Sequence, residues 1–275
     1  MSNWPSVESA RIRWASMTAS DPAFGDLVLA LRTAGCVFAE DEARLLVEST
    51  ASPAELTARV QRRIAGEPLE VILGWAEFAG LRVQVDPGVF VPRRRTEYLV
   101  RRALRLAHPG ATVVDLCCGS GALGLAMAAG MPGLRVFASD IEPSAVECAR
   151  RNLAGVGEVL TGDLFDAMPA ALRGAVDLLL VNAPYVPTDE IAGMPPEARD
   201  HEPRVTLDGG SDGLDVHRRV AAEAPNWLRL GGTLLIETSR EQALLAVDLF
   251  ADAGLEPRVV HSRKRAATVV LGTRS

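Results

Sequence analysis

From Thr112 onward, short apolar runs alternate with helix-length stretches: "TVVDLC", "LRVFAS", "EVLT", "VDLLLV" and "GTLLIE" are separated by segments such as "ALGLAMAAG" and "PSAVECARRNL". That order constrains the fold more than any other feature. Runs of four to six apolar residues with crossover helices between them predict a parallel sheet covered on both faces. The tail breaks the rhythm. "EPRVVHS" and "AATVVLG" are separated by little more than Arg263-Lys264-Arg265, too short a gap for a crossover helix, so these two strands are expected to pair antiparallel. The expected fold is α/β, with five parallel strands closed by a reversed hairpin.

Upstream the pattern is helical. "DLVLALRTAG" and "DEARLLVEST" carry apolar residues at three- and four-residue spacing. In "SPAELTARVQRRIAG", Ser52 can cap, Pro53 suits the first helical position, Glu55 completes a capping box and Gly66 can end the helix. Residues 1–74 are therefore expected to form a small helical domain that docks a substrate. Residues 75–95 form a linker whose alternation and Asp86-Pro87-Gly88 signal predict a β-hairpin. Residues 96–275 then form the α/β domain. With 275 residues, 48% hydrophobic and 23% charged, the chain can bury one medium core and a smaller one.

The net charge of −6 argues against broad nucleic-acid binding. The cysteines, Cys36, Cys117, Cys118 and Cys148, lack metal-ligand spacing, so no metal is expected. No apolar run reaches the roughly 18 residues of a membrane span, and the N-terminus has no signal-like apolar stretch. A reduced, cytoplasmic protein is the expectation.

"VVDLCCGSGALGLAMA" sets Gly119 and Gly121 between a strand and a helix, where glycines let the backbone approach a ligand at the helix N-terminus. Asp115 precedes the loop. Asp140 ends the next strand, positioned to accept both hydroxyls of a ribose. Gly119, Gly121 and Gly124 satisfy G-x-G-x-x-G, so a dinucleotide and a purely structural glycine turn are both alternatives. Three features favour S-adenosylmethionine: the acidic residue before the loop, the reversed hairpin, and Asn182 with Pro184 and Tyr185 after the fourth strand.

Those segments, "DLCCGSGALGLAMA", "SDIEPSAVECARRN", "GDLFD" and "NAPYVP", resemble the class I S-adenosylmethionine-dependent methyltransferases, which have a Rossmann-like sheet. More narrowly, residues 67–97 and 202–220 are similar to corresponding segments of the release-factor glutamine methyltransferases, the HemK/PrmC family. The resemblance implies transfer of a methyl group to the side-chain N5 of a glutamine in a protein. The implied partner is a release factor that presents a glutamine-bearing loop, or another protein substrate. It implies a donor site at Asp115, Cys117, Cys118, Gly119, Ser120, Gly121, Asp140, Ile141, Asp163, Leu164 and Asn182. It also implies an acceptor site at Asn182, Ala183, Pro184 and Tyr185, edged by Thr96 and Glu97. Methylation of an exocyclic amine on a nucleic-acid base or a small molecule is the alternative.

An amide nitrogen is a poor nucleophile because its lone pair is delocalised. The Asn182 oxygen and the Ala183 carbonyl can orient it and bind the charge that develops on it, while Tyr185 stacks on its plane. The sequence departs from the family's pattern in three places. Ala183 replaces the first proline of Asn-Pro-Pro-Tyr, Arg94 and Arg95 replace Pro-Glu, and "ETSREQ" lacks a usual glycine. His201 and His217 lie nearby and are expected to be structural or exposed.

Overall fold

The computed structural model describes residues 21–275; the first twenty residues of the expected helical domain 1–74 lie outside the described residues. The chain divides into two compact units. One is the segment up to Gly74 joined by Pro196–His201, and the other comprises Trp75–Pro195 and Glu202–Ser275.

The smaller unit holds α1 (Pro22–Thr33), α2 (Ala39–Glu48), α3 (Pro53–Ile64), α4 (Leu69–Leu73) and the short helix Pro196–His201. Its core gathers Leu27, Leu31, Leu46, Leu56 and Ile72. α3 begins as its sequence dictates. The Ser52 hydroxyl accepts from the Glu55 N–H at 3.2 Å, and Glu55 reaches back to the Ala51 N–H at 3.0 Å, one residue earlier than the usual box. The last turn of α3 carries Arg63. The structure buries it, paired with Glu42 at 2.7 Å and donating to the Glu67 carbonyl at 3.1 Å.

The larger unit opens with β1 (Trp75–Phe78) and β2 (Leu81–Gln84), an antiparallel hairpin. Its turn is Ala79-Gly80, both at positive φ, as a two-residue hairpin requires. The Asp86-Pro87-Gly88 signal instead makes a separate turn after β2, closed by Val89 N–H on the Asp86 carbonyl. The sequence reading chose the right motif and the wrong turn, because Ala79 gives no turn signal of its own.

After α5 (Glu97–Leu104) come β3 (Thr112–Leu116), α6 (Ala122–Gly130), β4 (Arg135–Asp140), α7 (Pro143–Asn152), β5 (Gly157–Thr161) and β6 (Val176–Val181). The chain closes with α8 (Asp215–Trp227), β7 (Leu228–Thr238), α9 (Ala243–Asp252), β8 (Leu255–Ser262) and β9 (Ala267–Arg274). The sheet order is β5-β4-β3-β6-β7-β9-β8. The first five strands are parallel, and β9 runs antiparallel to both β7 and β8. Successive residues of the central strands serve opposite cores. Val113, Leu178, Leu180 and Leu235 pack on one face, and Val114, Leu179, Val181 and Ile236 on the other. Helices cover both faces, which is why the strands read as unbroken apolar runs. β4 and β5 lie on one side of β3 and β6 on the other, so the crevice for a ligand opens at their C-terminal ends, beyond Leu116 and Val181.

Candidate active site

Between β3 and α6 the backbone turns sharply, with Cys117, Gly119 and Gly121 all at positive φ. At Gly121 a side chain is excluded twice over: the residue sits at φ +75, and a Cβ there would stand 3.1 Å from that of Ala149. The loop is tied to the next strand. Gly119 N–H donates to Asp140 Oδ2 at 2.8 Å, and Glu142 N–H to Asp140 Oδ1 at 3.0 Å. Burial pushes the Asp140 carboxyl up, and those N–H groups oppose the shift. Each oxygen accepts one backbone bond and keeps lone-pair capacity toward the crevice.

Asp140 is part of a pocket lined by Cys117, Cys118, Gly119, Ser120, Ile141, Asp163, Leu164, Asn182, Pro184 and Thr96. Eleven of the expected site residues, Asp140 included, thus converge on one cavity. Both loop thiols are pushed up by burial, so they line the wall as small apolar groups rather than nucleophiles.

The remaining expected residues lie elsewhere. Asp115 is buried beneath the loop and does not line the pocket. One oxygen accepts from Gly124 N–H at 3.0 Å, and burial pushes the carboxyl up to about 8, leaving it mostly a neutral acid near pH 7. Gly121 serves as the helix cap behind the wall. Glu97 is turned away from this pocket. It accepts from Ala79 N–H at 3.2 Å and pairs with Arg265 at 2.6 Å, fastening the hairpin turn to the β8–β9 turn. Ala183 is packed into the core beside α8 and β7. Tyr185 opens onto a second cleft. His217 is buried, with Nε2 3.1 Å from the Glu237 carbonyl oxygen, and burial holds it down at about 4, so its ring is neutral.

Residues that sequence reasoning did not single out complete the first pocket: Phe90 and Pro92 from the linker, Val205 and Thr206, and Val216 and Arg219 of α8. Their signal lay in segments 67–97 and 202–220, whose likeness to the family was visible without showing which side chains faced inward. The second of these segments also clamps the Asn182–Tyr185 loop. Val186 N–H donates to the Leu207 carbonyl at 3.0 Å, Gly209 N–H returns a bond to the Val186 carbonyl at 2.9 Å, and Gln242 Nε2 donates to the Tyr185 carbonyl at 2.9 Å.

Tyr185 is fixed at both ends. Its hydroxyl accepts from Arg95 at 2.8 Å and donates to Glu237 at 3.2 Å, and Arg95 Nε donates to the same Glu237 oxygen at 3.2 Å. Burial pushes the Glu237 carboxyl up, and Arg95, Thr96 and Tyr185 counter it.

A pocket with a carboxylate at a strand's end, an open-backbone glycine loop and apolar walls at Phe90, Leu164 and Val205 suits a nucleoside-bearing donor. The methyltransferase small domain family matches residues 80–193. A release factor glutamine methyltransferase of Geobacter sulfurreducens is 40% identical over 209 residues, covering 74% of this chain and 72% of its own. That of Mycolicibacterium smegmatis is 38% identical over 255 residues, covering 90% and 88%. A 4-amino-L-phenylalanine/4-methylamino-L-phenylalanine methyltransferase of Streptomyces pristinaespiralis is 38% identical over 203 residues, covering 71% and 69%. Among solved structures, a methyltransferase from Pyrococcus furiosus shares the fold at a TM-score of 0.54 and 16% identity, covering 80% of this chain and 98% of that one. At such identity and coverage in sequence, the chain belongs to the release factor glutamine methyltransferase family.

Proposed function

We propose that the protein transfers a methyl group from S-adenosylmethionine to the side-chain N5 of a glutamine in a peptide chain release factor. The observation that carries this reading is Asn182. It directly follows the central strand β6, lines the same pocket as Asp140, and begins a loop clamped from 207–212 and Gln242.

When bound, the donor supplies an electrophilic methyl group on a sulfonium. Asp140 would accept the ribose hydroxyls, Ile141 would line the donor's site, and Leu164 with Asp163, held by Arg219 at 2.7 Å, would lie against the adenine. The Asn182 side-chain oxygen and the Ala183 carbonyl accept the two N–H groups of the acceptor amide. Positive charge grows on that nitrogen as the carbon–nitrogen bond forms and the carbon–sulfur bond breaks, its electron pair leaving on the sulfur as a neutral thioether, so both acceptors bind the transition state more strongly than the ground state. The methylated nitrogen then sheds a proton to water, and no general base is required beforehand. The neutral, buried His217 is consistent with this. Tyr185 stacks on the acceptor plane, held in orientation by Arg95 and Glu237.

The N-terminal unit, with its helices from Pro22 to Leu73, docks the substrate protein. No helix among the described residues is long and apolar enough to cross a membrane. The four free cysteines suit a reducing compartment, and we place the protein in the cytoplasm.

The Streptomyces pristinaespiralis relative supports a second reading, N-methylation of an amine on a free amino acid. Incubation with labelled donor and either purified release factor or 4-amino-L-phenylalanine separates the two, with the modified atom identified by mass spectrometry. Label on a release-factor glutamine is the expected result. Label only on the amino acid, or on neither, defeats the first reading.

A further inference from the structure

Thr96 lines the donor pocket, and Glu237 lines the cleft onto which Tyr185 opens. The two side chains meet between these cavities, since Thr96 helps to counter the upward push of burial on the Glu237 carboxyl. Each carries a buried oxygen with nothing to bond. Thr96 is 1% exposed and Glu237 2%, yet Thr96 Oγ1 and Glu237 Oε2 complete no hydrogen bond. The Tyr185 hydroxyl and Arg95 Nε both donate to the other oxygen, Glu237 Oε1. Nor does Thr96 act as a threonine at a helix start usually does. It stands at the N-cap of α5, and its side chain accepts nothing from the first turn. A buried polar atom left unpaired is costly, and one kept in the wall of a ligand pocket points to a partner that arrives with the ligand.

Resting on the methyltransferase reading, we propose that Thr96 is a positioning residue that ties the bound donor to Tyr185. Its hydroxyl donates to Glu237 Oε2 and accepts from the ammonium group at the donor's amino-acid end. A hydroxyl has one proton and two lone pairs, whereas an ionised carboxylate can only accept. Glu237, paired with Arg95, therefore takes the proton, and what Thr96 offers the ligand is a lone pair. In S-adenosylmethionine the ribose hydroxyls fall to Asp140 and the adenine to Leu164 and Asp163, which leaves the ammonium as the N–H donor for Thr96. With Oε2 held as well as Oε1, the Glu237 carboxylate can no longer turn, and the Tyr185 hydroxyl bonded to it is set. The donor thus readies the ring on which the acceptor stacks.

The test is a calorimetric titration of the full chain with two ligands, S-adenosylmethionine and methylthioadenosine, which keeps the nucleoside and lacks the amino-acid end. Thr96→Val replaces the hydroxyl with a methyl group of similar shape and breaks no bond that the fold uses. It should weaken S-adenosylmethionine about tenfold, the loss of a hydrogen bond to a charged group, and leave methylthioadenosine nearly unchanged. Thr96→Ser should restore the parent's affinity. Glu237 lies outside the donor pocket, and a neutral amide in its place polarises the Thr96 hydroxyl less. Glu237→Gln should therefore weaken S-adenosylmethionine severalfold in the parent, and not at all in the double variant Thr96→Val/Glu237→Gln relative to Thr96→Val. Thermal unfolding of each variant checks that the fold is intact, and the Thr96 variants decide the matter even where Glu237→Gln disturbs it. Equal weakening of both ligands by Thr96→Val, failure of Thr96→Ser to restore binding, or additive losses in a folded double variant overturns the proposal. A parent that does not bind S-adenosylmethionine overturns the methyltransferase reading as well. Binding in the parent that Thr96→Val leaves unmoved overturns this inference alone.

Discussion

The two sides of the Asn182–Tyr185 loop are built by different means. Toward Asn182, the donor pocket rests on backbone geometry: a loop at positive φ and N–H groups on Asp140, with walls drawn from the linker, the strand ends and α8. Toward Tyr185, the cleft is made of long side chains from positions 95, 185, 237–241 and 261–263. A pocket fixed by backbone geometry tolerates few changes, because each glycine answers to a steric limit. A cleft assembled from side chains can be retuned one residue at a time. The departures from the family's pattern fall accordingly. Arg95 and the start of "ETSREQ", Glu237–Glu241, line the cleft, Arg94 lies outside it, and Ala183 lies in the loop between the two sides, while the glycine loop is intact.

The sharpest way to separate the two halves is Asn182→Ala. Turnover should fall at least a hundredfold, the effect of removing one transition-state acceptor, about 2.7–4 kcal/mol. Donor affinity measured by calorimetry should hold. A parallel loss of donor affinity would mean that Asn182 belongs to the pocket's architecture rather than to acceptor chemistry.

Asp140→Ala is the converse. Donor binding should weaken by about 1.5–3 kcal/mol, the usual loss for hydrogen bonds to a charged acceptor. The loop would also lose its tie through Gly119 N–H, so thermal stability should be measured alongside. Unchanged donor affinity would remove Asp140 from the ribose.

Acid should loosen the Tyr185 side first. His217 is held at about 4 when folded and bonds the Glu237 carbonyl, whereas in the unfolded chain it titrates near its ordinary 6.5. Its folded value is depressed, so below pH 6.5 the unfolded chain takes up a proton that the folded chain refuses until about pH 4. Stability from this group is present above 6.5 and falls across that window, by about 2 kcal/mol near pH 5. Denaturant titrations of the parent and His217→Gln at pH 7 and pH 5 should differ in slope by that amount. Identical pH dependence would show that His217 contributes nothing to it.

How much the sequence revealed follows the same division. The sheet and its closing hairpin were legible because each strand is a short apolar run and the gap after Ser262 is too short for a helix. Gly119, Asp140 and Asn182 were legible because each sits at the C-terminal end of a strand, where local order fixes position. Asp115 lies buried beneath the loop, and sequence cannot tell such a carboxylate from one facing the crevice. Glu97 bonds Arg265, a partner so distant in the chain that no local pattern shows it. The Arg95–Tyr185–Glu237 cluster was invisible for the same reason, since no local pattern announces a contact between residues so far apart.

The smallest effect falls on the loop itself, at Ala183→Pro. The backbone N–H of Ala183 makes no hydrogen bond among the described residues, so a proline there removes no donor that the fold uses. Asn182 precedes it directly after β6, and the extended backbone that proline imposes on its predecessor continues the strand direction. The Ala183 carbonyl survives, and with it the second acceptor for the amide. The variant should gain about 0.4–1 kcal/mol through lost freedom of the unfolded chain, while turnover stays within threefold of the parent. What opposes this is space: Ala183 is buried against the core around β7 and α8, and a ring adds atoms there. If overpacking wins, thermal stability drops while donor affinity holds, and Ala183 was selected for room. If stability rises but transfer is lost, the free N–H of Ala183 is itself used by the acceptor, and the acceptor carries an oxygen or nitrogen lone pair where a glutamine amide would present N–H.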